Sequence, residues 1–306
     1  MRDRFHRRVA HLPLTVQIGD RQSNGKLFPD PSFTWAYIEN VGTLPMFPRK
    51  ILNPRWQNAA RVLSRSDPLY KWRISKTFCP NCGGKYFLVM RPDAFMIRCL
   101  SCRANGTNLS LIPLIKKHRK SYPVREAWEM STYGATLSFL KKHVDHVIES
   151  EYFDGKQSGE IVGGILNQDV QKTSFPDSSL DLITSNQVFE HVPDDIKGYA
   201  ECFRVLRPGG ALLFTVPLYG IPATEKLAEI RDGELIFFKK PEYHDSRTTG
   251  PESVLTFWHH SLNDIAERVS SVGFDVAVED VFIAPSPITA TKVVRAVKPI
   301  LTPSTL

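Results

Sequence analysis

Long apolar runs and internal repeats are missing from these 306 residues. No apolar run reaches the roughly 18 residues that a membrane-spanning helix requires, so we predict no membrane partner. The basic start, MRDRFHRR, is not followed by an apolar signal core, which disfavours secretion and predicts a cytoplasmic location. The chain is long enough for one large or two modest globular domains.

Cysteine is also scarce, but its spacing is specific. Four of the five cysteines form two Cys-x-x-Cys pairs, a pattern typical of metal binding in a reducing compartment rather than of disulfides. The 16 residues between the pairs predict a hairpin, with strands near residues 86–90 and 95–98, that would bring the pairs together. The fifth, Cys202, is expected in the core. The predicted ligands of a closed, structural Zn²⁺ site are Cys79, Cys82, Cys99 and Cys102.

Charge is unevenly divided along the chain, although the net charge is only +7. Residues 1–125 contain 23 Lys and Arg against 6 Asp and Glu, whereas residues 126–306 contain 16 against 26. The basic part is expected either to bind a polyanion such as nucleic acid or to dock on the acidic part of its own chain. It divides into an irregular basic segment over residues 1–75, a zinc ribbon over 76–110 and a partly helical basic connector over 111–125.

The most regular part of the sequence lies between residues 169 and 217. Residues 180–184 are a short apolar run that predicts a buried strand. Residues 193–195, Pro-Asp-Asp, suit the first turn of a helix whose later apolar residues recur at helical spacing. Pro-Gly-Gly at 208–210 is expected to end that helix, and residues 211–216 predict a second strand. This order predicts a βαβ unit with a right-handed crossover.

Three phrases in this unit carry a family resemblance: SFPDSSLDLI after Asp169, VFEHV at 188–192 and RVLRPGG at 204–210. Each phrase is weak alone. Together, in this order and spacing, they resemble the class I S-adenosylmethionine-dependent methyltransferases of the type 11 family. The resemblance implies an α/β fold with a doubly wound Rossmann-like methyltransferase sheet over residues 126–306, preceded by the small zinc-ribbon module. It also implies S-adenosyl-L-methionine as the cofactor.

The resemblance places that cofactor at the ends of the first four strands. A carboxylate at the end of the second strand, Glu151 or the alternative Glu149, would accept hydrogen bonds from both ribose hydroxyls. Asp169 and the Val170 N–H would hold the adenine, after a third strand over residues 161–166. The implied cofactor-binding residues are Glu129, Ser131, Gly134, Glu151, Asp169, Val170, Asn186 and Gln187.

The glycine-rich first turn of this family is missing here. After Glu129 the chain continues Met-Ser-Thr-Tyr-Gly, in which Ser131 and Gly134 are the only small residues near the expected positions. Without the usual glycines, the turn would take a wider path or the cofactor would bind more weakly. The same stretch lacks the GxGxxG pattern that a nicotinamide dinucleotide requires, so S-adenosylmethionine is preferred.

The methyl acceptor is expected beyond the fourth strand. His191 is a candidate general base because a histidine pKa lies near neutrality, but an orienting or packing role stays open for it and for Glu190. Residues 220–256 are predicted to be an inserted lid or substrate loop, since such insertions at strand ends select substrates. The candidate substrate residues are Tyr219, Tyr243 and His244.

After the lid, Ser261 is expected to cap a helix, with the adjacent His259 and His260 on the protein surface. Residues 275–284 and 289–297 predict the last two strands, which would form an antiparallel hairpin that closes the sheet.

Methyl transfer to a small-molecule or sugar acceptor, through oxygen or nitrogen, is the function that the resemblance implies. No Asn-Pro-Pro-Tyr motif follows the fourth strand, which disfavours methylation of adenine or amide nitrogens. No Pro-Cys nucleophile is present, which disfavours methylation of cytosine carbon. Two alternatives stay open: an RNA methyltransferase whose basic zinc ribbon binds nucleic acid, and a cofactor-binding protein without catalysis.

Overall fold

A computed structural model describes residues 72–246, 249–283 and 290–300. Its strands, in chain order, are β1 (Arg73–Lys76), β2 (Tyr86–Val89), β3 (Ile97–Cys99), β4 (Glu126–Glu129), β5 (His146–Glu151), β6 (Ile161–Val162), β7 (Ile165–Asn167), β8 (Leu180–Asn186), β9 (Leu206–Thr215), β10 (Leu218–Tyr219), β11 (Glu225–Lys226), β12 (Ala228–Arg231), β13 (Glu234–Phe237), β14 (Tyr243–Ser246), β15 (Gly250–Leu255), β16 (Trp258–Ser261), β17 (Asp275–Val281) and β18 (Thr291–Val297). Its helices are α1 (Gly106–Ser121), α2 (Ala135–His143), α3 (Asp195–Val205) and α4 (Ile265–Ser270), with 3-10 turns at Ala94–Met96 and Phe189–His191. Of the predicted irregular segment, residues 1–71 lie outside the described residues.

Eight strands form one mixed sheet in the order β17-β18-β9-β8-β4-β5-β7-β6. Strands β9, β8, β4, β5 and β7 are parallel, whereas β18 runs antiparallel to β9 and forms the predicted terminal hairpin with β17. Alternate residues of the central strands face opposite layers: Leu182 packs in the cluster of α1 and α2, and Ile183 in that of α3 and α4. The predicted α/β, doubly wound sheet is confirmed. Its strand order reverses between β4 and β8, where such sheets bind ligands.

The predicted ribbon hairpin is present as β2 and β3, and a strand that the sequence did not predict, β1, pairs with β2. Phe87 and Ile97 point inward from these strands and are buried. They belong to the same hydrophobic cluster as Leu109 of α1 and Leu213 of β9. The ribbon, α1 and the large sheet therefore share one hydrophobic core.

Helix α1 covers much of the segment predicted as a basic connector, and it packs into that shared core. Asn105 caps the helix, because its Oδ1 accepts a 2.7 Å hydrogen bond from the Asn108 N–H. Ile112 and Ile115 are buried, as is His118. The exposed basic residues of this helix are Lys116, Lys117, Arg119 and Lys120. In the ranges that the structure describes, no helix combines the length and apolarity needed to cross a membrane.

The third strand differs from its prediction. Residues 161–166 were expected to form one strand, but β6 and β7 form an antiparallel hairpin there, and only β7 joins β5. Gly163 and Gly164 both have positive φ angles, +58° and +85°. A two-residue Gly-Gly loop is a strong hairpin signal, which explains why the continuous-strand prediction is wrong.

The Pro-Gly-Gly segment also differs from its prediction. Helix α3 ends at Val205, and residues 208–210 lie inside β9 rather than between the helix and the strand. Register between β8 and β9 shifts at this point. The Gly209 N–H donates a 2.7 Å hydrogen bond to the Lys298 carbonyl oxygen. The Lys298 N–H in turn donates to the Gly210 carbonyl oxygen. The segment is therefore an irregularity within a strand, paired on its other side with the chain after β18.

The insertion between β9 and α4 is built from short strands. The predicted lid over residues 220–256 contains the hairpins β12–β13 and β14–β15. Ser261 ends strand β16, and α4 begins after Asp264, so the prediction that Ser261 caps a helix is wrong. His260 is fully buried, because β16 is the middle strand of a three-stranded sheet with β10 and β11. The prediction of a surface position is therefore wrong for His260.

Candidate active site

The carboxyl ends of the parallel strands meet at one edge of the sheet, which we call the crevice edge. Strand β4 ends there at Glu129, β5 at Glu151 and β8 at Asn186, and Asp169 follows β7. In open α/β sheets, ligands bind at this edge, where the strand order reverses. The fold thus brings together residues that are far apart in the sequence.

Glu129 is buried at the end of β4 and is bonded to the neighbouring strand. The Thr184 hydroxyl of β8 donates a short hydrogen bond to Glu129 Oε2. Burial raises the pKa of Glu129 to about 8, although the hydrogen bond from Thr184 acts in the opposite direction. The side chain ties β4 to β8 directly behind the crevice edge.

The turn after β4 lacks a run of glycines, but it is anchored to β5. Glu151 Oε1 accepts hydrogen bonds from the Thr132 N–H at 2.9 Å and from the Thr132 hydroxyl at 2.7 Å. The Ser131 hydroxyl donates to the Tyr133 carbonyl at 3.2 Å. Gly134 has a φ of +110°, a region that favours glycine, and α2 begins directly after it. The carboxylate of Glu151 therefore holds this turn in place.

The two ribose-binding candidates occupy different positions on β5. Glu149 lies opposite Glu129 in the strand register and forms an ion pair with Lys141 of α2. Glu151 is the last residue of the strand and faces the first turn. This geometry favours Glu151 as the ribose-binding candidate, and the assignment stays a prediction.

Asp169 and Val170 begin the loop after β7. Asp169 Oδ1 accepts hydrogen bonds from the Gln171 N–H at 2.9 Å and from Gln171 Nε2 at 3.1 Å. The Asp169 N–H donates to Ser158 Oγ at 2.9 Å. The Val170 side chain is buried in the cluster of α3 and α4. The loop that was predicted to hold adenine is therefore fixed by its own hydrogen bonds.

Asn186 and Gln187 end β8 and connect both sides of the crevice edge. Asn186 Nδ2 donates to Thr136 Oγ1 of α2 at 3.2 Å, and its Oδ1 accepts from Thr215 Oγ1 of β9 at 3.2 Å. The Gln187 N–H donates to the Thr215 carbonyl at 2.8 Å. Gln187 has a φ of +56°, an uncommon conformation for this residue type. Strained backbone of this kind is frequent at functional sites.

Residues 134–214 match a family described as a methyltransferase domain. Over this segment the chain is similar to that family. The matched segment runs from the first turn of the crevice edge through most of β9 and includes Glu151, Asp169 and Asn186. The resemblance predicted from the sequence phrases is confirmed.

Two curated relatives and one solved structure are similar to part of this chain. A probable S-adenosylmethionine-dependent methyltransferase of Mycolicibacterium smegmatis is 42% identical over 53 residues, 17% of this chain and 21% of that protein. A malonyl-[acyl-carrier protein] O-methyltransferase of Methylococcus capsulatus is 30% identical over 95 residues, 31% of this chain and 30% of that protein. The crystal structure of an S-adenosylmethionine-dependent methyltransferase from Mesorhizobium loti is 18% identical, with 62% of this chain and 98% of that chain covered and a TM-score of 0.40. The chain spans less than a third of the length of these curated relatives.

A cluster of histidines and glutamates begins shortly after β8, where the chain enters the 3-10 turn Phe189–His191. His191 Nε2 lies 3.2 Å from His244 Nδ1 of the β14–β15 hairpin and 3.7 Å from Glu190 Oε1. The sequence predicted His191 and His244 as separate candidates, one for catalysis and one for substrate. The fold brings both of them into contact and adds the buried Glu190, and we call these three residues the Glu–His–His cluster.

Two further residues lie beside this cluster: Glu242, for which the sequence predicted no role, and His259, which it predicted on the surface. Glu242 Oε1 lies 3.1 Å from His244 Nε2, and Glu242 Oε2 lies 2.8 Å from His259 Nε2. Hydrogen bonds hold the pKa of Glu242 well below its usual range, with the bond from His244 contributing most and the bond from His259 next. A signal was available, because residues 242 and 244 are two apart in an extended segment and therefore share one face.

The two tyrosines predicted to contact substrate take different positions. The Tyr219 ring stacks on His259 with a centroid distance of 4.3 Å. Burial, together with the negative charge of Glu242, raises the pKa of Tyr219. Tyr243 is 45% exposed and, as the strand neighbour of His244, faces the opposite side.

The protonation state of His191 follows from its partners. Its Nδ1 lies 2.8 Å from the Leu255 carbonyl oxygen, which can only accept, so Nδ1 carries the hydrogen. Burial lowers the pKa of His191 to about 4, so the ring is neutral at pH 7. The Nε2 lone pair therefore points at His244, and it can accept a proton or bind a cation.

A second acid–histidine pair is enclosed by the protein. His260 Nε2 lies 3.0 Å from Asp195 Oδ2, and Arg268 Nε donates to the same oxygen at 2.7 Å. His260 and Asp195 are fully buried. These hydrogen-bonded contacts join β16 to α3 and α4, so this group has a structural role rather than a place at the crevice edge.

The ribbon gathers its four cysteine sulfurs as the spacing predicted. Cys79 Sγ lies 3.7 Å from Cys102 Sγ, and Cys82 Sγ lies 3.7 Å from Cys99 Sγ. All four sulfurs lie within 4.8 Å of one another. Sulfurs held tetrahedrally at about 2.3 Å from one zinc ion would be about 3.8 Å apart. The donor set and its dimensions fit a structural Zn²⁺ site.

Proposed function

We propose that this chain is an S-adenosylmethionine-dependent methyltransferase that binds its cofactor at the crevice edge. The observation that carries the proposal is the match of residues 134–214 to a methyltransferase domain, because that segment contains Glu151, Asp169 and Asn186 of the edge. When bound, S-adenosylmethionine would supply an electrophilic methyl group on a sulfonium centre. The protein then has to align that methyl group with an acceptor and exclude water.

In this proposal the strand ends hold the cofactor in the order that the resemblance implies. Glu151 would accept hydrogen bonds from the ribose hydroxyls while keeping its contacts with Thr132. Asp169 and the Val170 N–H would hold the adenine edge. Ser131 and Gly134 would lie beside the methionine part, and Asn186 and Gln187 would lie beside the sulfonium and the acceptor.

We place the methyl acceptor between the end of β8 and the Glu–His–His cluster. The lining is polar, so it suits a sugar or another small molecule that carries a hydroxyl or amino group. An acceptor hydroxyl must lose its proton during transfer. The neutral His191 offers a lone pair for that proton or for a cation that would acidify the hydroxyl.

We further propose that the four ribbon cysteines hold one Zn²⁺ ion with a structural role. All four coordination positions are filled by protein, so no position remains for a substrate. The ion would fix the ribbon against α1, because the ribbon and α1 share one hydrophobic core. This arrangement makes the ribbon a scaffold for the methyltransferase sheet.

Calorimetry tests the cofactor site. Wild-type protein should bind S-adenosylmethionine, and Glu151→Ala should weaken binding by about 1–3 kcal/mol, roughly 5- to 100-fold, through loss of charged hydrogen bonds to the ribose. Glu149→Ala is the matched control, since it removes a carboxylate two residues earlier on β5 and should leave the affinity unchanged. Absence of binding by the wild type, or equal affinities for the Glu151 variant and the wild type, would contradict this assignment.

Binding of RNA by the ribbon is a second candidate function, because the ribbon exposes aromatic rings beside basic residues. Phe78 and Tyr86 are exposed, and so are the adjacent Lys76 and Lys85. If RNA binds here, Lys85→Glu should weaken a salt-dependent interaction, while Lys197→Glu on the exposed side of α3 should not. Equal binding by both variants would leave the ribbon as a scaffold alone.

A further inference from the structure

The Glu–His–His cluster has the dimensions of a metal site with ligands from two separate segments. From its geometry we propose that Glu190, His191 and His244 bind a divalent transition-metal ion beside the crevice edge. Two imidazoles and one carboxylate are a donor set that suits Zn²⁺, Mn²⁺, Fe²⁺ or Co²⁺. Metal binding here is independent of the proposed methyl transfer, whereas any role of the ion in activating an acceptor rests on that function.

The distances fit a shared ion. His191 Nε2 and His244 Nδ1 are 3.2 Å apart, and His191 Nε2 is 3.7 Å from Glu190 Oε1. One ligand atom from each of the three residues lies within 4.8 Å of the other two. Ligand atoms at about 2.0–2.1 Å from a tetrahedral ion are about 3.3 Å apart. An ion could therefore be bound with only small side-chain adjustments.

The hydrogen-bond partners of the two histidines orient lone pairs toward one point. The Leu255 carbonyl fixes the hydrogen of His191 on Nδ1, which leaves a lone pair on Nε2. The Glu242 carboxylate likewise fixes a hydrogen of His244 on Nε2. In its neutral form, His244 then presents a lone pair on Nδ1 toward the lone pair of His191. Two facing lone pairs at 3.2 Å repel each other unless a cation or a proton lies between them.

Glu190 supplies an independent indication of a cationic ligand. Its side chain is 1% exposed, and neither carboxylate oxygen accepts a hydrogen bond from another residue in the described part of the chain. A buried carboxylate without a partner is costly, and such groups are normally paired or bound to a metal. A divalent ion between Glu190 and the two histidines would satisfy both the carboxylate and the facing lone pairs.

Outer contacts of the histidines follow the pattern of known metal sites. Metal-binding histidines usually donate their second ring N–H to a carboxylate or a backbone carbonyl, which fixes the tautomer and the ring orientation. His244 has the Glu242 carboxylate in this position, and His191 has the Leu255 carbonyl. The side chains of His191 and His244 are 15% and 32% exposed, so the site has an open side where a ligand oxygen can approach.

Manganese titration tests the site separately from the ribbon. Mn²⁺ prefers oxygen and nitrogen ligands and competes poorly for a four-thiolate site. Protein with zinc-loaded cysteines, and without S-adenosylmethionine, is titrated with Mn²⁺ while free Mn²⁺ is followed by electron paramagnetic resonance. We expect one equivalent to bind, and we expect Glu190→Gln and His244→Gln to weaken binding at least tenfold. Glu242→Gln should weaken it about 10- to 100-fold through the orientation of His244.

The control is His146→Gln, which removes an exposed histidine at the start of β5, on the opposite edge of the sheet. It should bind Mn²⁺ as the wild type does. Mn²⁺ should also raise the melting temperature of the wild type and not that of Glu190→Gln, which reports binding to folded protein. The proposal is overturned if no saturable binding occurs below about 1 mM Mn²⁺, because a dissociation constant above that concentration would indicate nonspecific binding. It is also overturned if Glu190→Gln and His244→Gln bind Mn²⁺ as tightly as the wild type, which would indicate a proton shared by the two histidines.

Discussion

The four-cysteine cluster and the Glu–His–His cluster differ in how the chain builds them. All four cysteines come from one short segment, and a single hairpin brings their sulfurs together. His191 and His244 are 53 residues apart, and they meet only because an insertion folds back onto the turn after β8. Local spacing defines the first cluster, whereas the topology of the whole domain defines the second.

The two clusters also differ in what surrounds them. The ribbon packs its inner side on α1 and the sheet, so the thiols of Cys79 and Cys99 are part of a shared core. The second cluster contains a buried carboxylate that accepts no hydrogen bond from another described residue, and it is open on one side. The first arrangement suits stability, and the second suits a ligand that enters and leaves.

Loss of the ribbon metal should produce the largest effect. Cys99→Ser should abolish stoichiometric zinc, because the fourth thiolate is missing. Structural zinc contributes on the order of 10 kcal/mol in small modules, so the ribbon should unfold and lower the stability of the sheet that shares its core. Cys202→Ala is the control, because Cys202 is buried in a different cluster. Zinc analysis together with thermal unfolding checks this, and a zinc-free variant with unchanged stability would show that the ribbon is not part of the common core.

Features of the fold that could be predicted from the sequence show the same division between local and distant contacts. The Cys-x-x-Cys pairs, the strand that ends at Asn186 and the terminal hairpin depend on neighbouring residues, and they were predicted. The buried position of His260 and the pairing of Glu242 with two histidines depend on contacts across the insertion. No spacing in the sequence shows which distant strand will cover a histidine.

Glu129 extends the contrast to the crevice edge, because it is a buried carboxyl beside the partly exposed Glu151. Its folded pKa of about 8 lies above the ordinary value of 4.5. Stability from the neutral form is therefore fully present below about pH 4.5 and is lost as the pH rises through about 8. We expect the stability of the wild type relative to Glu129→Gln to fall by on the order of 3 kcal/mol across that range. Urea unfolding at several pH values measures the difference.

Glu149→Gln controls for the replacement of a carboxyl group in the same region, because Glu149 lies opposite Glu129 in the strand register. A constant difference between the wild type and Glu129→Gln from pH 5 to pH 8 would show that the Glu129 carboxyl is not held in its neutral form. Glu129 would then ionise in the folded protein as a solvated carboxylate does.

Substitution of Tyr243 should have the smallest effect of these changes. It tests whether the Glu–His–His cluster depends on His244 alone or on the whole β14–β15 hairpin. The sequence predicted both Tyr243 and His244 as substrate residues, but neighbours on a strand face opposite sides. His244 faces His191 and Glu242, whereas the Tyr243 side chain points to the other face of the strand and is 45% exposed. Tyr243→Ala should therefore change stability by no more than about 0.5 kcal/mol and leave Mn²⁺ affinity unchanged, while His244→Gln weakens that affinity. Thermal unfolding and the manganese titration, applied to both variants, measure this pair. Equal losses of Mn²⁺ affinity in the two variants would mean that the hairpin contributes to the site as a whole and not through the single face that carries His244.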